Sequence, residues 1–314
     1  MMWNKSWNKL AMAAALALVT QGACKSVDTM KKDAQQLNKD ANEAKDKAEE
    51  AKAQTEAEMG DAAVKASLGM AVADGNRPAT DVARDVYRHP AETLYFFDVK
   101  PESTVLELWP GRGWYTRILG PYVGAKGKLY VTNYSPEDPS EYRAKMAGEY
   151  TETIKTIPNN GNISVIGLEP AGELDLGLEN EVDVVLTFRN VHNWMKDGSD
   201  VTIYEQVHKA LKPDGIFGIV EHRAKEGTTR EESMVSGYVD QQQLIAEVEQ
   251  AGFELVEASE INANPKDTKD YPEGVWTLPP SLRLKEQDAD KYIEIGESDR
   301  MTLKFKKVAK PAEN

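Results

Sequence analysis

Thr104 to Val123, TVLELWPGRGWYTRILGPYV, is the stretch that decides the fold. Its first residues, TVLEL, predict a buried strand, and Gly111 and Gly113 then mark a tight turn. A helix is predicted from Tyr115 to Tyr122, because the apolar residues there fall on one face. Glycine tolerates a positive φ and lets a ligand approach the backbone, while the first N–H groups of a helix attract anions and polar groups. The stretch predicts a ligand cradle, with a plain strand-to-helix turn as the alternative.

Composition narrows the class of protein. The chain has 314 residues, enough for one large domain or two small ones, and 40% of them are hydrophobic. Its formal net charge of -14 argues against binding nucleic acid or other acidic partners. One cysteine, Cys24, and four histidines exclude an internal disulfide and a four-cysteine zinc site, so we expect no structural metal.

Strands and helices alternate after the opening unit. The strands are short apolar runs, and the helices carry apolar residues at spacings of three and four. The predicted elements are strand Lys128–Tyr134, helix Pro139–Ile157, strand Asn162–Glu169, strand Asp183–Phe188, helix Ser199–Leu211, strand Ile216–His222, helix Asp240–Ala251, strand Phe253–Ser259 and strand Met301–Val308. Such alternation predicts a parallel sheet with helices on both faces and with ligands at the carboxyl ends of the strands.

The end of the chain departs from this alternation. No helix pattern follows Phe253–Ser259, and a polar loop from Asn262 to Glu297 leads to a last strand whose pattern fits antiparallel pairing. A loop of this length often serves as a lid or binding loop, and it carries Trp276. We therefore predict an α/β fold: a doubly wound, mostly parallel seven-stranded sheet with an antiparallel last strand, preceded by a long N-terminal helix.

Several segments together resemble a known family. The turn reads W-P-G-x-G-W-Y-T from Trp109 to Thr116, and it is accompanied by FRNVHNW at Phe188–Trp194, LKPDGIFGIVEHRA at Leu211–Ala224 and ANP at Ala263–Pro265. These segments, between about Asn76 and Lys307, resemble a branch of predicted, exported class I S-adenosylmethionine-dependent methyltransferases. That class also has five strand-helix units closed by a strand pair. The resemblance implies methyl transfer from S-adenosylmethionine to an unidentified small-molecule or envelope acceptor.

The resemblance implies a cofactor site around the opening turn. Glu107 would hold the methionyl ammonium, although a glutamate that caps nearby N–H groups is the alternative. Asn133 stands where the class has an acid for the ribose hydroxyls, and Glu169 would meet the adenine amino group or be a solvated loop acid. The cofactor-binding residues implied are Glu107, Trp109, Gly111, Gly113, Asn133, Glu169 and Asn190, with Trp109 where the general motif has its first glycine.

Candidate catalytic residues cluster after the fourth strand, at Arg189, Asn190, His192, Asn193 and Trp194. His192 is the best candidate base, since histidine ordinarily titrates near neutrality; a hydrogen-bonded loop histidine is the alternative. The resemblance implies His192, Tyr115 and Asn193 as catalytic residues and Trp194, Glu221, His222 and Trp276 as substrate contacts. Tyr115 and Trp194 would face the sulfonium or a planar acceptor, or else pack in the core. His208 is interpreted as structural.

The N-terminus is interpreted as an export signal. Two lysines without an acid precede the apolar run Leu10–Val19, which is too short to span a bilayer permanently. Cys24 then stands where a bacterial lipobox places its lipidated residue, and Lys25 resembles the sorting pattern of outer-membrane lipoproteins. We expect residues 1–24 to be a lipoprotein signal and the protein to face the periplasm of a Gram-negative bacterium. Plain secretion is the alternative.

Residues 25–59 predict a helical stalk. Apolar and small residues recur every three or four positions from Val27 to Thr55, and neither Pro nor Gly intervenes before Gly60. The pattern fits a self-associating coiled coil or a single solvated helix of about 30 residues, and both alternatives stay open. A linker at 60–75, a methyltransferase-like domain at 76–308 and a tail at 309–314 are predicted to follow.

Two further functions are compatible with these patterns. The first is a methyltransferase-fold binding or scaffold protein of the cell envelope without turnover, which the departures at Trp109 and Asn133 favour. The second is a nicotinamide-dependent oxidoreductase, which Thr116 argues against because it stands where G-x-G-x-x-G needs its last glycine.

Overall fold

The computed structural model describes residues 27–124, 126–158, 160–168 and 174–309. The predicted signal at residues 1–24, with Cys24, lies outside the described residues, and so does Glu169. The chain divides into two compact units, 1–61 and 62–314, which are described separately. Within the described ranges, no helix is both long and apolar enough to cross a membrane.

Seven strands form a single mixed sheet in the order β3-β2-β1-β4-β5-β7-β6. The strands are β1 (Thr104–Leu108), β2 (Lys128–Tyr134), β3 (Ile163–Leu168), β4 (Val182–Phe188), β5 (Leu211–His222), β6 (Phe253–Ser259) and β7 (Arg300–Lys307). The first five strands pair in parallel, whereas β7 lies antiparallel between β5 and β6. The predicted fold class is therefore confirmed, including the antiparallel last strand, and this strand order is that of the class I methyltransferase fold.

Helices cover both faces of the sheet. The helices that the structure describes are α1 (Val27–Val72), α2 (Ala79–Val82), α3 (Asp85–Arg88), α4 (Pro90–Phe96), α5 (Thr116–Val123), α6 (Glu141–Lys155), α7 (Val191–Asp197), α8 (Asp200–Ala210), α9 (Arg230–Ser236), α10 (Gln241–Gln250) and α11 (Ala289–Ile295). Residues of β1 alternate between the two faces: Leu106 and Leu108 belong to one apolar cluster and Val105 to the other. Because side chains alternate along a strand, a sheet with both faces covered needs such apolar residues throughout.

The elements differ from the sequence predictions in several places. The loop from Asn262 to Glu297 contains helix α11, whose seven residues bury only Tyr292 and so carry no apolar stripe. Helix α9 was not predicted either, for it buries only Ser233. Strand β5 begins at Leu211 rather than after the predicted turn at Lys212–Gly215, with a shift in pairing register that absorbs the irregularity.

Helix α1 is longer than the sequence predicts. It runs through Gly60 to Val72, so most of the predicted linker at 60–75 is helical. Alanine is the most frequent residue in this extension, and Leu68 is fully buried in the core of the second unit, which stabilises the helix despite two glycines. Residues 35–60 are exposed along their whole length. Self-association of the stalk through residues 27–55 stays a prediction.

Candidate active site

A cavity of about 240 Å³ opens at the carboxyl ends of β1, β4 and β5. This is the edge of a parallel sheet at which α/β folds bind ligands. The turn after β1 supplies Trp109, Pro110 and Gly111, the segment after β4 supplies Arg189 to Asn193, and His222 ends β5. The β1 turn and the segment after β4, where the sequence predicts the cradle and the catalytic candidates, therefore line one cavity. His192 and Asn193 lie on helix α7, which the sequence does not predict.

The turn after β1 has a left-handed backbone at three positions. The φ angles are 44° at Trp109, 60° at Gly111 and 80° at Gly113. A Cβ at Gly111 would meet no atom within 4 Å, whereas one at Gly113 would lie 2.9 Å from Thr153 Cγ2. Gly111 thus leaves open space beside the cavity, while Gly113 is required by the packing of the turn against α6.

Trp109 adopts the conformation that glycine favours at the first position of this motif. A non-glycine residue at positive φ costs on the order of 1–3 kcal/mol, and such strain concentrates at functional sites. Its N–H donates to Thr132 Oγ1 at 2.9 Å, and its indole packs against Trp194 with ring centroids 5.2 Å apart. Asn190 Nδ2 donates to the carbonyls of Leu108 (3.0 Å) and Trp109 (3.3 Å). These bonds tie the β1 turn to the loop after β4.

Glu107 is the buried acid of the β1 side. Its side chain lines the cavity, although the residue is only 1% exposed, and Thr116 Oγ1 donates to its Oε2 at 2.6 Å. Burial raises the pKa of Glu107 to about 8, while the bond from Thr116 opposes the rise. Glu107 is therefore mostly protonated at neutral pH, and a cation that enters the cavity would favour its ionised form.

A histidine and a carboxylate form a dyad on the opposite side. His192 Nδ1 lies 3.1 Å from Glu221 Oε1, which also accepts the N–H of His222 at 2.8 Å. Glu221 Oε2 accepts the N–H of Val191 at 2.7 Å, so the carboxylate is anchored from three directions. With Nδ1 bound to Glu221, Nε2 is left for a ligand, and it has no bonding partner among the described residues. This is the arrangement of an oriented general base.

The same side chains form a candidate metal-ligand set. His192, Glu221 and His222 each offer one ligand atom, and these atoms all lie within 4.8 Å of one another. Two imidazoles and a carboxylate suit a divalent transition metal. Burial, followed by the charge of His192, holds the pKa of His222 well below its usual range, so this imidazole is neutral. His222 Nδ1 also contacts Ser298 Oγ at 2.5 Å.

Aromatic rings form much of the remaining wall. Tyr115 and Phe188 stack with centroids 3.6 Å apart, and Trp276 meets the ring of His192 edge-on at 5.9 Å. Burial raises the pKa of Tyr115 to about 12, so its hydroxyl stays protonated. Trp276 comes from the loop that the sequence predicts to be a lid, as do the cavity residues Val275, Pro279, Pro280 and Ser281.

The structure brings most of the predicted site residues together. Those on the cavity wall are Glu107, Trp109, Gly111, Tyr115, Asn190, His192, Asn193, His222 and Trp276. Glu221 lies behind His192, and Trp194 is buried against Tyr204 and Trp109. Asn133 is not on the wall; it is buried, and its Oδ1 accepts the N–H of Tyr134 at 2.8 Å.

Three arginines also line the wall, two of which the sequence does not single out. Arg88 belongs to α3, Arg189 follows β4 and Arg300 begins β7. The sequence places Arg189 among the candidates after the fourth strand, but nothing in it links that residue to Arg88 or Arg300. More than 200 residues separate Arg88 from Arg300, and their proximity arises only because β7 inserts beside β5.

Comparisons with known proteins give only distant structural likenesses. No family model matches the sequence, and no curated protein matches it either. Among solved structures, a SAM-dependent methyltransferase from Aquifex aeolicus is 19% identical, with a TM-score of 0.48 over 72% of this chain and 93% of that one. A putative methyltransferase in complex with the Trm112 activator of Haloferax volcanii is 17% identical, with a TM-score of 0.46 over 75% and 96%. The [4+2]-cyclase SpnF is 12% identical, with a TM-score of 0.48 over 75% and 84%. At such identities these likenesses carry no inference about activity.

Proposed function

We propose that this chain is an S-adenosylmethionine-dependent methyltransferase that acts on a small-molecule or envelope acceptor. The observation that carries the proposal is the cavity that joins the β1 turn, with Glu107 and Gly111, to the His192–Glu221 dyad at the carboxyl edge of the sheet. The strand order with its antiparallel β7 supports the proposal, because it is the order of that class of enzyme.

The residues of the β1 side fit a cationic methyl donor. Glu107 can ionise to meet an ammonium group, and Gly111 leaves free space where a bulkier residue would project. The rings of Tyr115 and Trp276 can face a positive charge. When bound, the donor supplies an activated methyl group on a sulfonium, which departs as a neutral thioether.

The dyad supplies the base that an acceptor with an O–H or N–H group needs. His192 Nε2 takes the acceptor's proton, while Glu221 holds the ring in one orientation and stabilises the imidazolium that results. The aromatic wall excludes water and positions the acceptor, and positioning supplies most of the acceleration in such a displacement.

Calorimetric titration of the full chain with S-adenosylmethionine, S-adenosylhomocysteine and NAD tests the proposal. We expect saturable binding of the first two ligands, lost in Glu107→Ala and retained in Arg112→Ala. Arg112 is a matched control, because it lies in the same turn but points into solvent, with 76% of its side chain exposed. Binding of NAD alone would replace the proposal with an oxidoreductase, and binding of none would remove methyl transfer.

A binding protein without turnover is the second candidate. The cavity volume of about 240 Å³ lies below the roughly 300–1,000 Å³ typical of small-molecule sites, and Asn133 does not face it. A protein of this kind would bind a ligand smaller than a nucleoside sulfonium. The same titration separates the two candidates, since a cavity of fixed size would exclude S-adenosylhomocysteine.

We also propose, from the sequence, that Cys24 carries a lipid and that the protein faces the periplasm. The lipobox-like position of Cys24 and the apolar run before it support this address. Labelled palmitate should be incorporated by the wild-type protein in a Gram-negative host and not by Cys24→Ala. Equal labelling of both proteins would contradict the anchor.

A further inference from the structure

Four arginines meet around one buried glutamate beside the cavity. Arg84 Nε donates to Glu297 Oε1 at 2.5 Å, Arg88 Nε approaches Oε2 at 3.4 Å, and Arg300 Nη2 pairs with the same oxygen. Arg88 and Arg300 are only 3% and 2% exposed. Although burial alone would raise its pKa, Arg300 and Arg88 hold the pKa of Glu297 well below its usual range, so this carboxylate stays ionised.

Arg189 is the fourth arginine, and it lacks such a partner. Its backbone N–H donates to the carbonyl of Val220 at 2.7 Å, with φ at 63°, which fixes the residue at the end of β4. The guanidinium lines the cavity but makes no hydrogen bond or ion pair with any residue that the structure describes. Burial, followed by the charge of Arg300, lowers the pKa of Arg189 to about 10. Its charge is therefore offset only through space, by Glu297 and Glu221, and not by a direct ion pair.

The arginine cluster also contains N–H donors that the described residues leave unpaired. Arg84 Nη2, Arg88 Nη2 and Arg300 Nε are buried and have no hydrogen-bond partner in the described part of the chain. Buried polar groups are almost always paired, so a cluster of three unpaired donors calls for an explanation. A guanidinium presents its N–H groups in a planar fork that matches the oxygens of a carboxylate or phosphate.

The balance of charges around the four arginines also favours a bound anion. The nearest acids that act on these arginines are Glu297 and, for Arg189, Glu221, whereas Glu107 is mostly protonated at neutral pH. Four guanidinium groups thus face two carboxylates, although the whole chain carries a formal charge of -14. Buried charge without a partner is costly, and a bound anion would offset the excess.

We propose that Arg88, Arg189 and Arg300 form a subsite for an oxyanion, a carboxylate or a phosphate, on the methyl acceptor. The assignment to the acceptor rests on the proposed function. An S-adenosylmethionine molecule carries two positive groups and one carboxylate, so its net charge is positive. Its binding would add to the excess of guanidinium groups over carboxylates at this site. The acceptor therefore has to bring the negative charge, and it presents an O–H or N–H group to His192 in the same cavity.

The test uses the full chain with acetate, inorganic phosphate and S-adenosylhomocysteine as probes. Each probe is titrated calorimetrically into wild type, Arg189→Gln, Arg189→Lys and the solvent-exposed control Arg112→Gln. We expect acetate or phosphate to bind saturably, with at least tenfold weaker binding to Arg189→Gln, a smaller loss in Arg189→Lys and none in Arg112→Gln. The affinity for S-adenosylhomocysteine should be unchanged in all three variants.

Thermal unfolding provides the second readout. The Arg189 side chain makes no hydrogen bond or ion pair with the residues that the structure describes, so Arg189→Gln should still fold. Without added anion, its unfolding temperature should equal or exceed that of the wild type. Phosphate should raise the unfolding temperature of the wild type more than that of Arg189→Gln, since a ligand that binds only the folded state stabilises it. A merely structural arginine would show the opposite pattern, with the variant unfolding at lower temperature.

Three outcomes would overturn the subsite: no binding of acetate or phosphate, binding that Arg189→Gln leaves unchanged, or an equal loss of S-adenosylhomocysteine binding in that variant. The last result would assign the guanidinium to the cofactor's carboxylate. Anion binding that depends on Arg189, without any binding of S-adenosylmethionine, would retain the subsite and remove the proposed methyl transfer instead.

Discussion

Two buried glutamates beside the same cavity have opposite charge states. Glu107, on the β1 side, has the hydroxyl of Thr116 as its one side-chain partner among the described residues, and burial raises its pKa to about 8. Glu297, on the β7 side, pairs with three arginines that keep it ionised despite burial. The β1 side can therefore be stabilised by a bound cation, and the arginine-rich β7 side by a bound anion. A positively charged methyl donor and a negatively charged acceptor would satisfy both sides.

The largest effect is expected from replacing His192, the candidate base. His192→Ala should lower kcat by about 10²- to 10⁴-fold, which is the usual contribution of a general base, and leave the affinity for S-adenosylhomocysteine nearly unchanged. A panel of small hydroxy- and amino-carboxylates provides the acceptor, and formation of S-adenosylhomocysteine provides the rate. His208→Ala is the control, because His208 bonds the carbonyl of Val308 away from the cavity. Unchanged turnover in His192→Ala would remove the dyad from the mechanism.

The arginine cluster on the β7 side can be tested by removing Glu297, the acid that three of the arginines share. Glu297→Gln leaves three paired arginines without a carboxylate, so it should lower the free energy of unfolding by about 3–5 kcal/mol. Urea denaturation measures this loss, and phosphate should restore part of it. Glu286→Gln, at an exposed position of the loop before α11, should change stability little. If Glu297→Gln were as stable as that control, the arginines would not be charge-compensated by Glu297.

On the β1 side, the raised pKa of Glu107 predicts that stability depends on pH. The folded state keeps the Glu107 proton up to about pH 8, whereas the unfolded chain releases it near 4.5. The contribution of Glu107 to stability therefore falls as pH rises through that window. Glu107→Gln resembles the protonated acid, so it should match the wild type at pH 5 and exceed it by on the order of 3 kcal/mol at pH 8. A stability difference that is the same at both pH values would refute the raised pKa.

The smallest effect is expected from removing metal. Both oxygens of Glu221 already accept hydrogen bonds, which favours the dyad over the metal-ligand set formed with His192 and His222. Dialysis against EDTA should therefore leave kcat and the unfolding temperature unchanged. A loss of activity that Zn²⁺ or Mn²⁺ restores would instead assign these three side chains to a metal.

The β1 side and the arginine-rich β7 side of the cavity also differ in how much of each the sequence predicts. The β1 side is local: Glu107, Trp109 and Gly111 occur within one strand and its turn, so the pattern predicts a ligand cradle there, and the family resemblance assigns the residues their roles. The seven strands were predictable for the same reason, because each is a bounded apolar run. The positive φ that the structure shows at Trp109 occurs at a motif position that normally holds glycine.

The arginine-rich β7 side depends on tertiary contacts that no local pattern encodes. Arg88 and Arg300 approach each other only through the order of the sheet, and a lone arginine in a sequence resembles any solvated charge. Burial likewise depends on tertiary contacts: Trp194 packs in the core, and Glu221 lies behind His192. Helices α9 and α11 were missed because neither buries an apolar stripe.

Proton release on ligand binding tests the central claim most directly. S-adenosylhomocysteine carries an ammonium group, and Glu107 must ionise to meet it. Calorimetric titration at pH 7 in two buffers of different ionisation enthalpy should show close to one proton released per ligand bound to the wild type, and none in Glu107→Gln. Binding without proton release, or equal release in both proteins, would contradict the account of a cavity with one side prepared for a cation and the other for an anion.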